Sequence, residues 1–173
     1  MAVPFKQGPR SCQDGRVPTT ADHLVAGWRE WVGLPGWGVE WVKAKLDTGA
    51  RSSAIHAFDV HEFERDGQTW VRFSIHPWQR SAEDAATVES PVHDRRRVRS
   101  SSGHTTERYV VRMDVTLLGR TVPTEMTLTS RDQMGFRMLI GREALRQGFV
   151  VDPARSYLGE RPPRAVRRRN RGR

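Results

Sequence analysis

The amino-acid sequence predicts a predominantly β fold with one short helix near its C-terminal end. Three features carry that prediction: apolar runs that alternate with polar residues, tight-turn signals between them, and a single stretch of helical character. The Trp-rich runs "VAGWREWVGL" and "GVEWVKAKL" flank Pro35-Gly36-Trp37-Gly38 and read as a hairpin whose second strand delivers the chain into Asp47. "AFDVHEFER" and "QTWVRFSIH" flank Asp66-Gly67, a two-residue hairpin signal because both turn positions need positive φ. Residues 77–91 lose β-propensity and are expected to form a loop or one helical turn. A small-residue apex at Ser100 to Gly103 precedes long alternating strands near 106–118 and 121–129, joined around Leu118-Gly119-Arg120. In "FRMLIGREALRQGFVVDP" an apolar strand leads to Gly141. A helix at 142–147, a Gly148 C-cap and a last strand at 149–151 complete the pattern.

The chain has 173 residues, enough for one domain with tails. Residues 1–22 read as a flexible leader, 23–158 as the domain, and 159–173 as a disordered basic tail. The formal charge is +9, and "ERPPRAVRRRNRGR" at 160–173 supplies seven Arg and one Glu, so the body is only mildly basic. That tail is either a solvated terminus or an electrostatic contact for nucleic acid, a ribosome or an acidic substrate. The single Cys12 excludes an intrachain disulfide and a cysteine metal cluster, which fits a reducing compartment. No apolar run approaches the ~18 residues of a membrane span, and the first twenty residues lack a signal-peptide core, so a cytoplasmic location is expected.

One stretch invites chemistry. "KLDTGARSSAIHA" places Asp47 at the end of an apolar strand, with Thr48, Gly49 and Ala50 directly after it. Alone, Asp-Thr-Gly is also ordinary turn chemistry. Together, "LDTGA" at 46–50 and "MLIGREAL" at 138–145 resemble the two halves of a retropepsin-type aspartic protease. The resemblance implies an all-β acid-protease barrel in which Ile140-Gly141-Arg142 sits beneath the Asp-Thr-Gly loop. Such sites use two carboxylates about 3 Å apart that share one proton, one acting as base toward water and the other as acid toward the carbonyl. With one Asp-Thr-Gly in the chain, it implies a homodimer to which each copy gives one Asp47, with Thr48 and Gly49 shaping the loop. The segments "LDTGARSSAIHAFDV", "SSSGH", "TSRDQMGFRMLIGR" and "VDPARSYL" are similar, more narrowly, to bacterial retropepsin-like proteins described as ATP-dependent zinc proteases. That family is associated with an ATP-grasp ligase that adds glutamates to a ribosomal protein, and the resemblance implies a peptidase that trims a glutamate-rich tail.

Retroviral members carry an acid after Asp-Thr-Gly-Ala, where this chain carries Arg51. Arg51 and Arg142 beside the cleft would suit acidic side chains, or either can pair with Glu143, Asp132 or another acid. The resemblance places a substrate-covering flap at about 92–109, with Ser101, Ser102 and Gly103 at its tip and Arg95, Arg96, Arg97 and Arg99 on its first strand. Those arginines can face a polyacidic chain or form a solvated sheet edge. Ala50, Arg51, Ser101, Ser102, Gly103 and Arg142 are thus the expected substrate-binding positions. The hairpin at 58–76 is additional to the retroviral plan, since 94 positions separate Asp47 from Gly141.

No cofactor is expected. His61-Glu62 opens a metalloprotease-like pattern but position 65 is Arg, so the motif fails. His56 is the best single zinc candidate, against the commoner structural histidine. No Walker-type loop supports ATP binding. Two further readings stand beside the aspartic peptidase: a non-catalytic module that grips an acidic tail or a ribosomal partner, and a zinc-dependent peptidase.

Overall fold

A computed structural model of the chain describes residues 23–99 and 105–172. The expected leader and the flap-tip positions Ser101, Ser102 and Gly103 lie outside the described residues. Among the described residues the order comprises eleven strands, two short α-helices and a 3-10 turn at Pro35–Trp37. The strands are β1 (Leu24–Gly27), β2 (Arg29–Leu34), β3 (Val39–Asp47), β4 (Ser53–His56), β5 (Phe58–Arg65), β6 (Gln68–Ile75), β7 (Ala86–Arg99), β8 (Thr105–Leu117), β9 (Arg120–Thr129), β10 (Met138–Gly141) and β11 (Phe149–Asp152). The helices are α1 (Arg142–Leu145) and α2 (Arg164–Arg169). The expected all-β fold with a short helix after Gly141 is observed.

The main sheet runs β2-β3-β10-β4-β9-β8-β7-β6-β5, and β2 also pairs with β8 through Val32 and Leu117. That second pairing closes six strands into a barrel and leaves β7, β6 and β5 as an outward extension. Alternation explains the closure. Val42, Ala44 and Leu46 on β3 are buried, while Trp41, Lys43, Lys45 and Asp47 face outward on the other side of the pleat. The core is built from Val32, Leu34, Val42, Val71, Phe73, Ile75, Val110, Leu117, Met126, Met138 and Ile140, each almost fully buried. Side chains of this kind contribute roughly 1.5–3 kcal/mol each on burial.

Several expectations need correcting. The run "VAGWREWVGL" is two strands, because β1 leaves the hairpin to pair in parallel with β11 as a separate two-stranded sheet. The strand β7 begins at Ala86, inside the stretch expected to be loop. Val71, Phe73 and Ile75 on β6 bring it into register with Ser90, Val88 and Ala86, so packing overrides the weak local propensity. The helix after Gly141 closes at Leu145 and passes into a turn before Gly148, whose φ is +117°. Asp66 and Gly67 both adopt positive φ, as the hairpin signal requires.

The segment 159–173, expected to be disordered, is described through Gly172 and contains α2. Two polar contacts hold it. Asn170 is buried and its side-chain oxygen accepts the Gln79 amide at 2.9 Å, while Arg169 pairs with Asp84 at 3.0 Å. The approach to this segment is fixed by Glu30, which is 1% exposed. Its carboxylate accepts the amides of Gly27 at 2.7 Å, Leu158 at 2.9 Å and Gly159 at 3.3 Å.

Glu30→Ala leaves the buried Gly27 amide and the part-buried amides of Leu158 and Gly159 without their acceptor and should lower stability by about 1–3 kcal/mol. Urea denaturation of the two chains checks this.

Candidate active site

Asp47 ends β3 at the point where β10 runs parallel to it, with Ile140 opposite Leu46 and Gly141 opposite Asp47. Strand β4 returns on the far side of β10, so β10 is threaded between the strands that enter and leave the Asp47 loop. Backbone hydrogen bonds stitch the loop to Gly141 and the first turn of α1. The Arg142 amide donates to the Ala50 carbonyl at 2.9 Å, the Glu143 amide to the Arg51 carbonyl at 3.1 Å, and the Gly141 amide to the Ser53 hydroxyl at 3.1 Å. Only glycine fits at 141: a Cβ there would lie 2.6 Å from the carbonyl carbon and oxygen of Ser52. The Ile-Gly-Arg sequence is therefore the floor on which the Asp47 loop rests.

The carboxylate itself is held by its own loop. Its Oδ1 accepts the amides of Gly49 at 3.1 Å and Ala50 at 3.2 Å, and its Oδ2 lies 3.3 Å from the Lys45 ammonium. Burial pushes the carboxyl up, but the Lys45 hydrogen bond and charge, with the two amides, outweigh it and hold Asp47 below its ordinary value. Lys45 belongs to no motif, although its i−2 position on the same strand face is a legible signal. Thr48 and Gly49 are exposed at the rim of the loop.

The expected binding positions divide. Ala50 supplies backbone contacts to Asp47 and to Arg142. The Arg142 guanidinium donates to the Gly49 carbonyl at 3.3 Å and so braces the loop. Arg51 pairs with Glu143 at 3.4 Å while remaining 79% exposed, so this contact leaves it largely hydrated. Both line a concavity of about 440 Å³ with Arg96, Glu125 and Arg146. On β7, Arg95 pairs with Glu62, and Arg96 pairs with Asp94 at 2.7 Å and Glu125 at 2.6 Å. These two arginines brace the sheet extension.

His56 is buried, and its Nδ1 accepts the Arg131 amide at 3.0 Å. Burial holds it below its ordinary value, against the pull of Asp132, with Arg137 and His76 adding to the lowering. Among the described residues no three His, Cys, Asp or Glu side chains group as metal ligands. His56 is packed as a hydrogen-bonded histidine, with Nδ1 taken by the Arg131 amide, Nε2 3.8 Å from Asp132 and its ring 6.1 Å from that of His76. No helix among the described residues is long and apolar enough to cross a membrane.

A closed barrel carrying an Asp-Thr-Gly loop above a threaded Ile-Gly strand defines the retropepsin-like class. The family model described as "Retropepsin-like aspartic endopeptidase RimB" matches residues 25–162, and the chain belongs to this RimB-like family. A protein of Shewanella pealeana named "Probable alpha-L-glutamate ligase" is 45% identical over 139 residues, covering 80% of this chain and 30% of that protein. Similarly named proteins of Parasynechococcus marenigrum and Desulfotalea psychrophila are 44% and 40% identical, covering 29% and 30% of their lengths. The chain thus spans less than a third of the curated relatives it matches. A Legionella pneumophila crystal structure of a protein of unknown function (DUF785) superposes with a TM-score of 0.68 at 25% identity, covering 79% of this chain and 98% of that one.

Two variants probe this geometry. Gly141→Ala should destabilise the chain by about 1–3 kcal/mol, read by denaturant melting, because the Ser52 backbone must move. Lys45→Met removes a cation from Asp47 and should raise its pKa, which an NMR pH titration of the Asp47 carboxyl reads as a profile moved to higher pH. An unmoved profile would show that Lys45 does not act on the carboxylate.

Proposed function

We propose that the chain is an aspartic peptidase that acts as a homodimer on glutamate-rich protein tails, such as that of a glutamylated ribosomal protein. The observation that carries this is the Asp47 loop: a hydrogen-bonded, partly exposed carboxylate at the rim of a barrel, on the floor expected of a retropepsin-like site. Two features support a second copy. Thr48 is exposed beside Asp47, where a symmetry mate's loop can meet it. The β1/β11 sheet has only two strands and shows Val25 and Val150, register partners, at 45% and 41% exposure. A two-stranded sheet is marginal by itself, and a second copy of it can cover those valines.

In the dimer the two Asp47 carboxylates share one proton. The ionised one takes a proton from water as the oxygen attacks the peptide carbonyl carbon, and the protonated one gives its proton to the carbonyl oxygen. Collapse of the tetrahedral intermediate breaks the C–N bond, and the amine leaves with a proton returned through the pair. Lys45 has two tasks in this reading. It keeps Asp47 ionised, and its partly exposed ammonium attracts the glutamate side chains beside the scissile bond. Arg51 can exchange its hydrated contact with Glu143 for a substrate carboxylate. The glutamate substrate is also supported by relatives whose names describe glutamate ligation, a chemistry that a glutamate-trimming hydrolase would oppose.

The test is mass spectrometry of a peptide ending in several glutamates. The wild-type chain, with or without chelator, should shorten the peptide, whereas Asp47→Asn should lose turnover by several orders of magnitude while still folding. Binding without cleavage by the wild type would favour a gripping module in its place.

A further inference from the structure

The segment around α2 lies mostly beyond the family match at 25–162, and Arg167, Asn170 and Arg171 share a cavity with Lys43 on the outer face of β3. Arg164, Arg167 and Arg168 occupy i, i+3 and i+4 positions on α2 and, with Arg171 in the turn after it, line one cavity of about 430 Å³. Like charges at this spacing disfavour a helix, so the segment is held from its other side by Asn170 and by Arg169, which pairs with Asp84. The four arginines are left facing outward. Two adjoining cavities, of about 250 and 360 Å³, continue the surface and share Lys43 and Arg171. Burial lowers the Lys43 ammonium, and Arg29, Arg80 and Arg171 lower it further, which marks a site of uncompensated positive charge.

We propose that this arginine helix and Lys43 form an exosite for an acidic peptide segment, continuous with the substrate strand at Asp47. The proposal rests on the peptidase reading for what happens at Asp47, but not for binding at the helix. Lys43, Lys45 and Asp47 occupy alternate positions on one face of β3. At roughly 3.3 Å per residue, Lys43 stands about 13 Å from Asp47 along the strand, and an extended peptide reaches it about four residues from the scissile bond. The same pleat spacing sets alternate carboxylates of such a peptide against Lys45 and Lys43. The arginine helix then receives the residues beyond. Peptide fits better than nucleic acid because the neighbouring rings are already covered: the Arg29 guanidinium lies 4.6 Å from the Trp28 ring and 5.1 Å from the Tyr157 ring. Base stacking needs such faces free.

Fluorescence anisotropy at low and moderate salt, with labelled peptides of about four and about twelve glutamates spanning roughly 13 and 40 Å, tests the idea. The longer peptide should bind the wild-type chain at least about tenfold more tightly, and Arg164, Arg167 and Arg168 together changed to Gln should erase that gain while leaving the short peptide unaffected. The same three positions changed to Lys should retain most of it. Equal binding of both lengths, or an undiminished length effect in the Gln variant, overturns the exosite. Tight binding of an oligouridylate with no gain from peptide length overturns it in favour of nucleic acid. Length-dependent binding through the helix without any cleavage would overturn the peptidase reading and leave the exosite standing.

Discussion

The close backbone approach between Gly141 and the carbonyl of Ser52 sets everything built around Asp47. No side chain can be accommodated there, so β10 slides directly beneath the loop and lines up Gly141 with Asp47. That contact brings together the three amide bonds that tie the loop and β4 to β10 and α1. The carboxylate is consequently oriented by backbone groups whose positions are fixed by sheet pairing, which is the rigidity a catalytic group needs.

The second determinant is charge. Asp47 sits in a field of cations: Lys45 on its own strand, Arg51 on the next turn, and the Lys43 and arginine-helix surface further back. An acid-protease pair needs one of its carboxyls protonated. Here the nearest ionic group favours the ionised form. The arrangement suits a substrate that brings its own negative charge, because bound glutamates would offset Lys45 and let the shared proton return to the pair. Under the proposed peptidase reading, substrate charge and catalytic protonation are coupled in one cleft.

Much of this was legible in the sequence, for identifiable reasons. Asp66-Gly67 announced its hairpin because two adjacent positive-φ positions admit few other readings. The Asp-Thr-Gly loop and the Ile-Gly-Arg strand could be joined through their resemblance to retropepsin-type proteases, and the close approach at Gly141 supplies the physical reason for it. The departure of β1 to pair with β11 was not visible, since a local run carries no information about which distant strand it will meet. Nor were the contacts of the basic segment visible, since they join Asn170 to the Gln79 amide and Arg169 to Asp84, 91 and 85 residues away. Lys45 escaped notice because it belongs to no motif, although strand alternation places it beside Asp47. Which acid stands nearest Arg51 needed the fold, since Glu143 is 92 positions away and was one of several candidates.

The central claim is that one Asp47 is half of a site completed by a second copy. Its most direct test is subunit mixing: wild-type chain is held constant while Asp47→Asn chain is added, subunits are allowed to exchange, and cleavage of a glutamate-rich peptide is measured. The account predicts that activity falls toward zero as the variant becomes the major species, because each wild-type chain is then paired with a partner lacking its carboxylate. Activity that stays constant per wild-type chain, whatever the excess of Asp47→Asn, would contradict it.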